Sequence, residues 1–111
     1  MTNTTYTIIR ADGAQEVRTA ALGDHSNYEA LQALLCPLLD CDYAEHVRVL
    51  HNGEYLDLFV DEDGLHKGLP RNELATTIYR NNVMTHEPDT DPESLPFIAG
   101  DAVLFDRKVW S

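Results

Sequence analysis

The sequence predicts one α+β domain over residues 1–111, a mainly antiparallel sheet of hairpins with one principal helix packed on one face and a second short helix. Three observations predict it. Asp12-Gly13 and Asn52-Gly53 each lie between strand-like runs and offer the positive φ angles of a two-residue hairpin turn. "SNYEALQALLCP" carries a helically spaced leucine stripe. A length of 111 residues and a hydrophobic content of 43% suit one compact domain with one modest core.

In chain order, "TYTIIR" and "QEVRT" form the opening hairpin around Asp12-Gly13. Ser26 and Glu29 then have the S-x-x-E spacing in which each side chain caps the other's backbone N–H. Leu31, Leu34 and Leu35 give that helix its apolar face, and Pro37 ends it near Cys36. "YAEHVRVLHNGEYLDLFV" is the clearest signal, because a two-residue loop at Asn52-Gly53 pairs Val49 with Leu56, Val47 with Leu58 and Arg48 with Asp57. Val47, Val49, Leu56 and Leu58 then share the core face, and His46, Arg48, Leu50, Tyr55, Asp57 and Phe59 form a mixed face that is partly covered. "GLPRNELATTIYRN" places Pro70 in a first helical turn, with Leu74, Ile78 and Tyr79 as its stripe. "THEPDTDPES" is an exposed acidic loop, and "LPFIAGDAVLFDRKVW" supplies one or two closing strands with Gly100 at a bend. Ile8, Val60, Ile98, Val103 and Phe105 complete the expected core.

Eight Lys plus Arg stand against 19 Asp plus Glu, a formal net charge of −11. That field disfavours direct binding to nucleic acid, whose phosphates are neutralised by Lys and Arg, and makes a basic protein surface the electrostatic complement. It also favours solubility by itself. The positive charges are six Arg and two Lys, a bias that a GC-rich source and a salty habitat both produce. The N-terminus "MTNTTYTIIRADG" has neither the basic nor the long apolar region of a signal peptide, and no apolar run reaches membrane-spanning length. The expected location is the cytoplasm, with Cys36 and Cys41 as half-buried reduced thiols.

Motifs for chemistry are few. Asp61, Asp63 and Gly64 suggest a calcium loop, but the EF-hand spacing would put its first ligand on Phe59 and its twelfth on Pro70, whose side chains cannot coordinate calcium. Asp24, His25 and Ser26 are adjacent, whereas a catalytic triad is assembled from distant segments. No paired His or Cys motif marks a metal, and no glycine-rich phosphate loop marks a nucleotide. The chain therefore reads as a protein other than an enzyme, with no metal and no cofactor.

Two sites remain. The acids of the turn, Asp61, Glu62 and Asp63, and of the loop, Glu87, Asp89, Asp91 and Glu93, are candidates for binding a partner. A basic island, Lys67 and Arg71 beside Asn72 and with Tyr79 further along, is the alternative, since a helix start with free N–H groups attracts anions such as phosphates. Asn72 is also suited to cap that helix.

"LFVDEDGLHKGLPRNELATTIYR" followed by "FIAGDAVLFD" resembles a family of small proteins of bacteria, phages and mobile elements, domain of unknown function 3846. The matching positions are Gly64, Gly68, Leu69, Pro70, Asn72, Ile98, Gly100 and Val103 or Leu104, while "THEPDTDPESLP" is an insertion relative to tighter members. The resemblance carries no activity. It implies a mobile-element context, in which a small acidic protein is expected to bind and block a basic host protein, including nucleic-acid-binding defence proteins. Oligomeric state is open.

Overall fold

The computed structural model describes residues 4–20 and 28–106, which form an antiparallel five-stranded sheet with a helix on each face. In order the elements are β1 Thr4–Ile9, β2 Gln15–Ala20, α1 Tyr28–Leu39, β3 Ala44–His51, β4 Glu54–Asp61, α2 Glu73–His86 and β5 Ala102–Phe105. The strand order β2-β1-β5-β4-β3 inserts the last strand between the two hairpins. β5 reads Ala-Val-Leu-Phe, the continuous apolar run of a strand covered on both faces. Ser26, proposed from the sequence as a cap, lies outside the described residues, as do Asp24 and His25.

The β3–β4 hairpin has the register its turn dictates: Val49 opposite Leu56, Val47 opposite Leu58, Arg48 opposite Asp57. Asn52 at φ 52° and Gly53 at φ 82° take the left-handed conformations that a two-residue loop needs. The opening hairpin differs from expectation. Arg10 N–H donates to the Ala14 carbonyl (2.8 Å) and Gly13 N–H to the Arg10 carbonyl (3.0 Å), so its loop has three residues rather than two. The Asp12 carboxylate accepts the Ala14 N–H at 2.9 Å, and this local bond satisfies the donor that a two-residue turn would have used.

The centre of the sheet is buried on both faces, and the mixed, partly covered face expected for the β3–β4 hairpin is present: Asp57 and Phe59 are buried, His46 and Leu50 half-buried, Arg48 and Tyr55 exposed. Tyr6, Ile8, Phe59, Val103 and Phe105 lie on that side under Leu31, Leu35 and Leu39 of α1. Phe59 meets Phe105 edge-on at 5.7 Å, a favoured aromatic geometry. Asp57 on the same side is fully buried because its own hairpin neutralises it: Oδ1 lies 2.7 Å from His46 Nε2 and 3.5 Å from Arg48 Nε. Of the polar residues sharing this face with Phe59, Asp57 is thus paired in the interior while Arg48 stays exposed. On the opposite face Ile9, Val49, Leu56, Leu58, Val60 and Ala102 pack against Ala75 and Ile78 of α2. Leu34 and Val47 are half-buried at the margins of these two clusters.

Pro37 does not end α1. The helix continues to Leu39, with Ala33 and Pro37 both exposed so that the carbonyl deprived of its N–H partner faces water. It stops at Asp40, whose φ of 51° lets the Cys41 N–H reach back to the Cys36 carbonyl at 3.1 Å. The second helix, expected to be short, is the longer of the two at 14 residues against 12. It begins at Glu73 rather than at Pro70, and Leu74 is exposed while the smaller Ala75 and Thr76 face inward.

Leu58→Ala, at a fully buried site between the sheet and α2, should cost about 2–5 kcal/mol in denaturant unfolding. Leu34→Ala, at a half-buried site, should cost clearly less. Equal losses would contradict this division of the core.

Candidate functional site

The basic island lies in the connection from β4 to α2. Asp61 starts it: its carboxylate accepts the Asp63 N–H at 2.8 Å and pairs with Lys67 Nζ at 2.8 Å. Gly64 packs so closely on the 98–100 segment that a Cβ there would sit 2.5 Å from the Ala99 carbonyl oxygen. Gly100, at φ +87°, leaves room for Leu69 and donates its N–H to the Pro70 carbonyl at 2.7 Å.

Asn72 closes this clasp. It is buried, its Oδ1 accepts the Ala75 N–H at 3.1 Å as the cap of α2, and its Nδ2 donates to the carbonyls of Ile9 (2.8 Å) and Gly100 (3.0 Å). Its own N–H donates to the Ile98 carbonyl at 2.8 Å, and Ile98 N–H donates to Thr76 Oγ1 at 2.9 Å. The capping role read from the sequence is what the structure shows.

The four residues of the anion-site reading do not converge. Asn72 has its amide engaged within the fold. Lys67 lines a shallow hollow with Ala11, Asp40 and Asp101, whereas Tyr79 lines a different cavity and Arg71 lines neither. Hydrogen bonding to Asp61 holds the Lys67 ammonium above the ordinary lysine value. Arg71 pairs with Glu73 at 2.9 Å and lies over the Phe97 ring at 5.4 Å.

Every described cation is in fact paired. Arg10 meets Asp101 and Arg18 meets Glu16 at 2.8 Å, Arg48 meets Asp57 at 3.5 Å, and Arg80 meets Glu93 at 3.6 Å, alongside the Lys67 and Arg71 pairs. Among the acids proposed for partner binding, Asp61 is buried, pairs with Lys67 and does not present a free charge. Glu93 is exposed but tied to Arg80. Glu62, Asp63, Glu87, Asp89 and Asp91 are exposed and form no ion pair among the described residues. Asp91 Oδ1 accepts the Glu93 N–H at 3.0 Å, and Arg80 donates to the Leu95 carbonyl at 3.2 Å, so the acidic loop is held against α2.

That loop runs into Pro96–Ala99, which forms one wall of a cavity of about 210 Å³. Val47 and Val60 of the sheet, Tyr79 of α2 and Leu65 of the turn line the rest, with Glu45 and Glu62 among the polar lining. Leu65 and Phe97 are 53% and 37% exposed, an apolar pair at the opening. Sequence reading passed over Glu45, Leu65 and Phe97. Leu65 is an apolar residue in an otherwise polar turn, which was a signal, but the cavity exists only because four separate segments meet.

Cys36 and Cys41 are free, half-buried thiols. Burial, reinforced by the neighbouring Cys36 thiol, pushes the Cys41 thiol up to about 12, which disfavours the thiolate at neutral pH. No group of three or more His, Cys, Asp or Glu among the described residues could hold a metal, and no described helix is long and apolar enough to cross a membrane.

Asn72→Ala removes a helix cap and leaves two buried carbonyls short of a donor, and should cost on the order of 3 kcal/mol in equilibrium unfolding. A loss as small as that of an exposed alanine substitution would show that the clasp is not needed. Stability should also fall as pH rises from the ordinary thiol value of 9.0 toward about 12, because the unfolded chain gives up the Cys41 proton first. Lys67, whose folded value is also raised, acts in the same direction. Denaturant midpoints followed through that window check this, and Cys41→Ala should flatten the decline. Compared with protein-family models, curated proteins and solved structures, the chain matches none of them.

Proposed function

We propose that this protein is a small acidic interaction module that docks on a basic surface of a host protein and blocks it. The observation that carries the reading is the charge arrangement. All six described Lys and Arg are neutralised internally, while Glu45, Glu62, Asp63, Glu87, Asp89 and Asp91 surround or lead into an open apolar cavity without an ion-pair partner of their own among the described residues. The counter-charge must then come from salt or from a partner. Long-range attraction would orient the basic partner, and Leu65 and Phe97 would provide the apolar contact that slows its release.

A nucleic-acid-binding target suits this surface, because such proteins carry the Lys and Arg that neutralise phosphates. A mobile-element context, the expectation raised by the Gly64 to Asn72 stretch, would favour a blocking role against host defence. The alternative of a small anion held by Lys67 and Arg71 has no comparable support, since both cations already have carboxylate partners.

The test is capture of a binding protein from host lysate at low and high salt, followed by kinetics with the purified partner. Changing Glu87 and Glu93 to Gln and Asp89 and Asp91 to Asn keeps the Asp91 acceptor and should slow association tenfold or more. Leu65→Ala with Phe97→Ala should instead raise the dissociation rate. Binding indifferent to both sets, with thermal midpoints unchanged, would remove this surface from consideration. Loss of function only on changing Lys67 and Arg71 would favour the anion site.

A further inference from the structure

The two edges of the sheet are treated differently. At the β3 edge, the Gln32 side-chain amide pairs with Ala44 like a piece of strand, donating to its carbonyl and accepting its N–H, both at 2.9 Å. Asn82 does the same further along, accepting the Leu50 N–H at 2.8 Å and donating to the Arg48 carbonyl at 3.4 Å. Such covers protect an edge against pairing with another chain.

The β2 edge has no such cover among the described residues. The Thr5 carbonyl accepts from Asp106 N–H, so Thr5, Thr7 and Ile9 turn their polar groups toward β5. Their partners across the hairpin, Thr19, Val17 and Gln15, therefore point theirs away from β1 into open space. Gln15 through Thr19 are exposed on both faces, and Val17 is 66% exposed.

We infer that β2 is a self-association edge, on which the β2 strand of a second copy of this chain pairs antiparallel about Val17. Charge complementarity selects that occupant and that register. With Val17 opposite Val17 of the partner subunit, Gln15 falls opposite the partner's Thr19, and Glu16 falls opposite the partner's Arg18 twice over, by symmetry. Glu16 and Arg18 already pair within their own strand at 2.8 Å, and this register joins the two exposed pairs into one alternating cluster. The Val17 and Gln15–Thr19 pairs are the hydrogen-bonded ones. The Glu16–Arg18 pairs are then the non-hydrogen-bonded kind, in which side chains approach most closely. The surroundings permit it. From Arg10 to Ala20 the chain carries two Arg, Asp12 and Glu16, which cancel, so this hairpin is a neutral stretch on a molecule of net charge −11 and adds no repulsion of its own between two copies. Moving the two-fold axis by one residue, a slip of two in the pairing, would set Glu16 against Glu16 or Arg18 against Arg18. Because one strand pair makes a small contact, the dimer forms reversibly and its population rises with concentration.

Sedimentation velocity over a concentration series, at fixed near-physiological salt, tests the register. Wild-type protein should pass from monomer to dimer. Glu16→Arg and Arg18→Glu alone should each weaken association tenfold or more, and the double exchange should restore it. The two single changes move the net charge in opposite directions, so general repulsion would make one weaken and the other strengthen association. Val17→Pro removes only an outward-facing N–H and should abolish the dimer, with far-UV circular dichroism checking that the monomer remains folded. A monomer at every concentration overturns the inference. So does a dimer that survives Val17→Pro or fails to recover in the double exchange. The inference stands independently of the basic-partner surface, which lies at other residues.

Discussion

The buried amide of Asn72 holds the fold together at the point where it is topologically most demanding. Placing β5 between β1 and β4 requires the chain to leave β4, form α2, return along residues 87–101 and enter the middle of the sheet. Asn72 bonds to the end of β1, the approach to β5 and the first turn of α2 at once. A side chain with two donors and an acceptor can do this with little unsatisfied polarity, whereas Asp or Leu of similar size cannot. Each bond contributes only about 1 kcal/mol on its own, yet losing the group would orphan several buried partners together. Gly64 and Gly100 serve the same joint by allowing the two segments to touch.

The glycine-rich connection before α2 is built around this joint. Gly64, Gly68, Leu69, Pro70, Asn72, Ile98 and Gly100 are the residues of the clasp or its immediate neighbours, and their chemistry is that of close packing and backbone hydrogen bonding. Lys67 and Arg71, which gave the stretch its basic character, are its counter-charges to Asp61 and Glu73.

What the sequence made legible was local. Asn52-Gly53 specified the β3–β4 register residue by residue, because turn geometry and side-chain alternation act within a few residues. What it concealed depended on partners distant in the chain or on compensation. The mixed face of the hairpin was legible, but not that pairing with His46, Arg48 and Lys67 lets Asp57 and Asp61 be buried. Pro37 suggested a helix end, but its lost hydrogen bond falls on the solvent side. For the candidate site, the exposure of the loop acids was legible from composition, whereas Asp61 counted as a surface charge until its partner was placed. The cavity could not be read at all, since its walls come from β3, β4, α2 and the segment before β5.

The clasp and the cavity are mechanically one unit. Ile98 and Ala99 form a wall of the cavity, and the same two residues are gripped by Asn72 N–H, by Thr76 Oγ1 and by the bridge between Arg71 and Ala99. Tyr79, on the opposite wall, is one helical turn from Thr76 on α2. A wall fixed by hydrogen bonds to the core loses little conformational entropy when a partner arrives, so apolar contact there is used for binding rather than for ordering the site. The acidic loop has a different character: one arginine, a capped turn and exposed carboxylates hold it to α2. Its charges act at a distance, screened over about 10 Å in 0.1 M salt, where small adjustments of position matter little. The structure therefore separates an apolar wall held by hydrogen bonds to the core from an exposed charged loop; in the proposed docking the first would govern how long a basic partner stays and the second how fast it arrives.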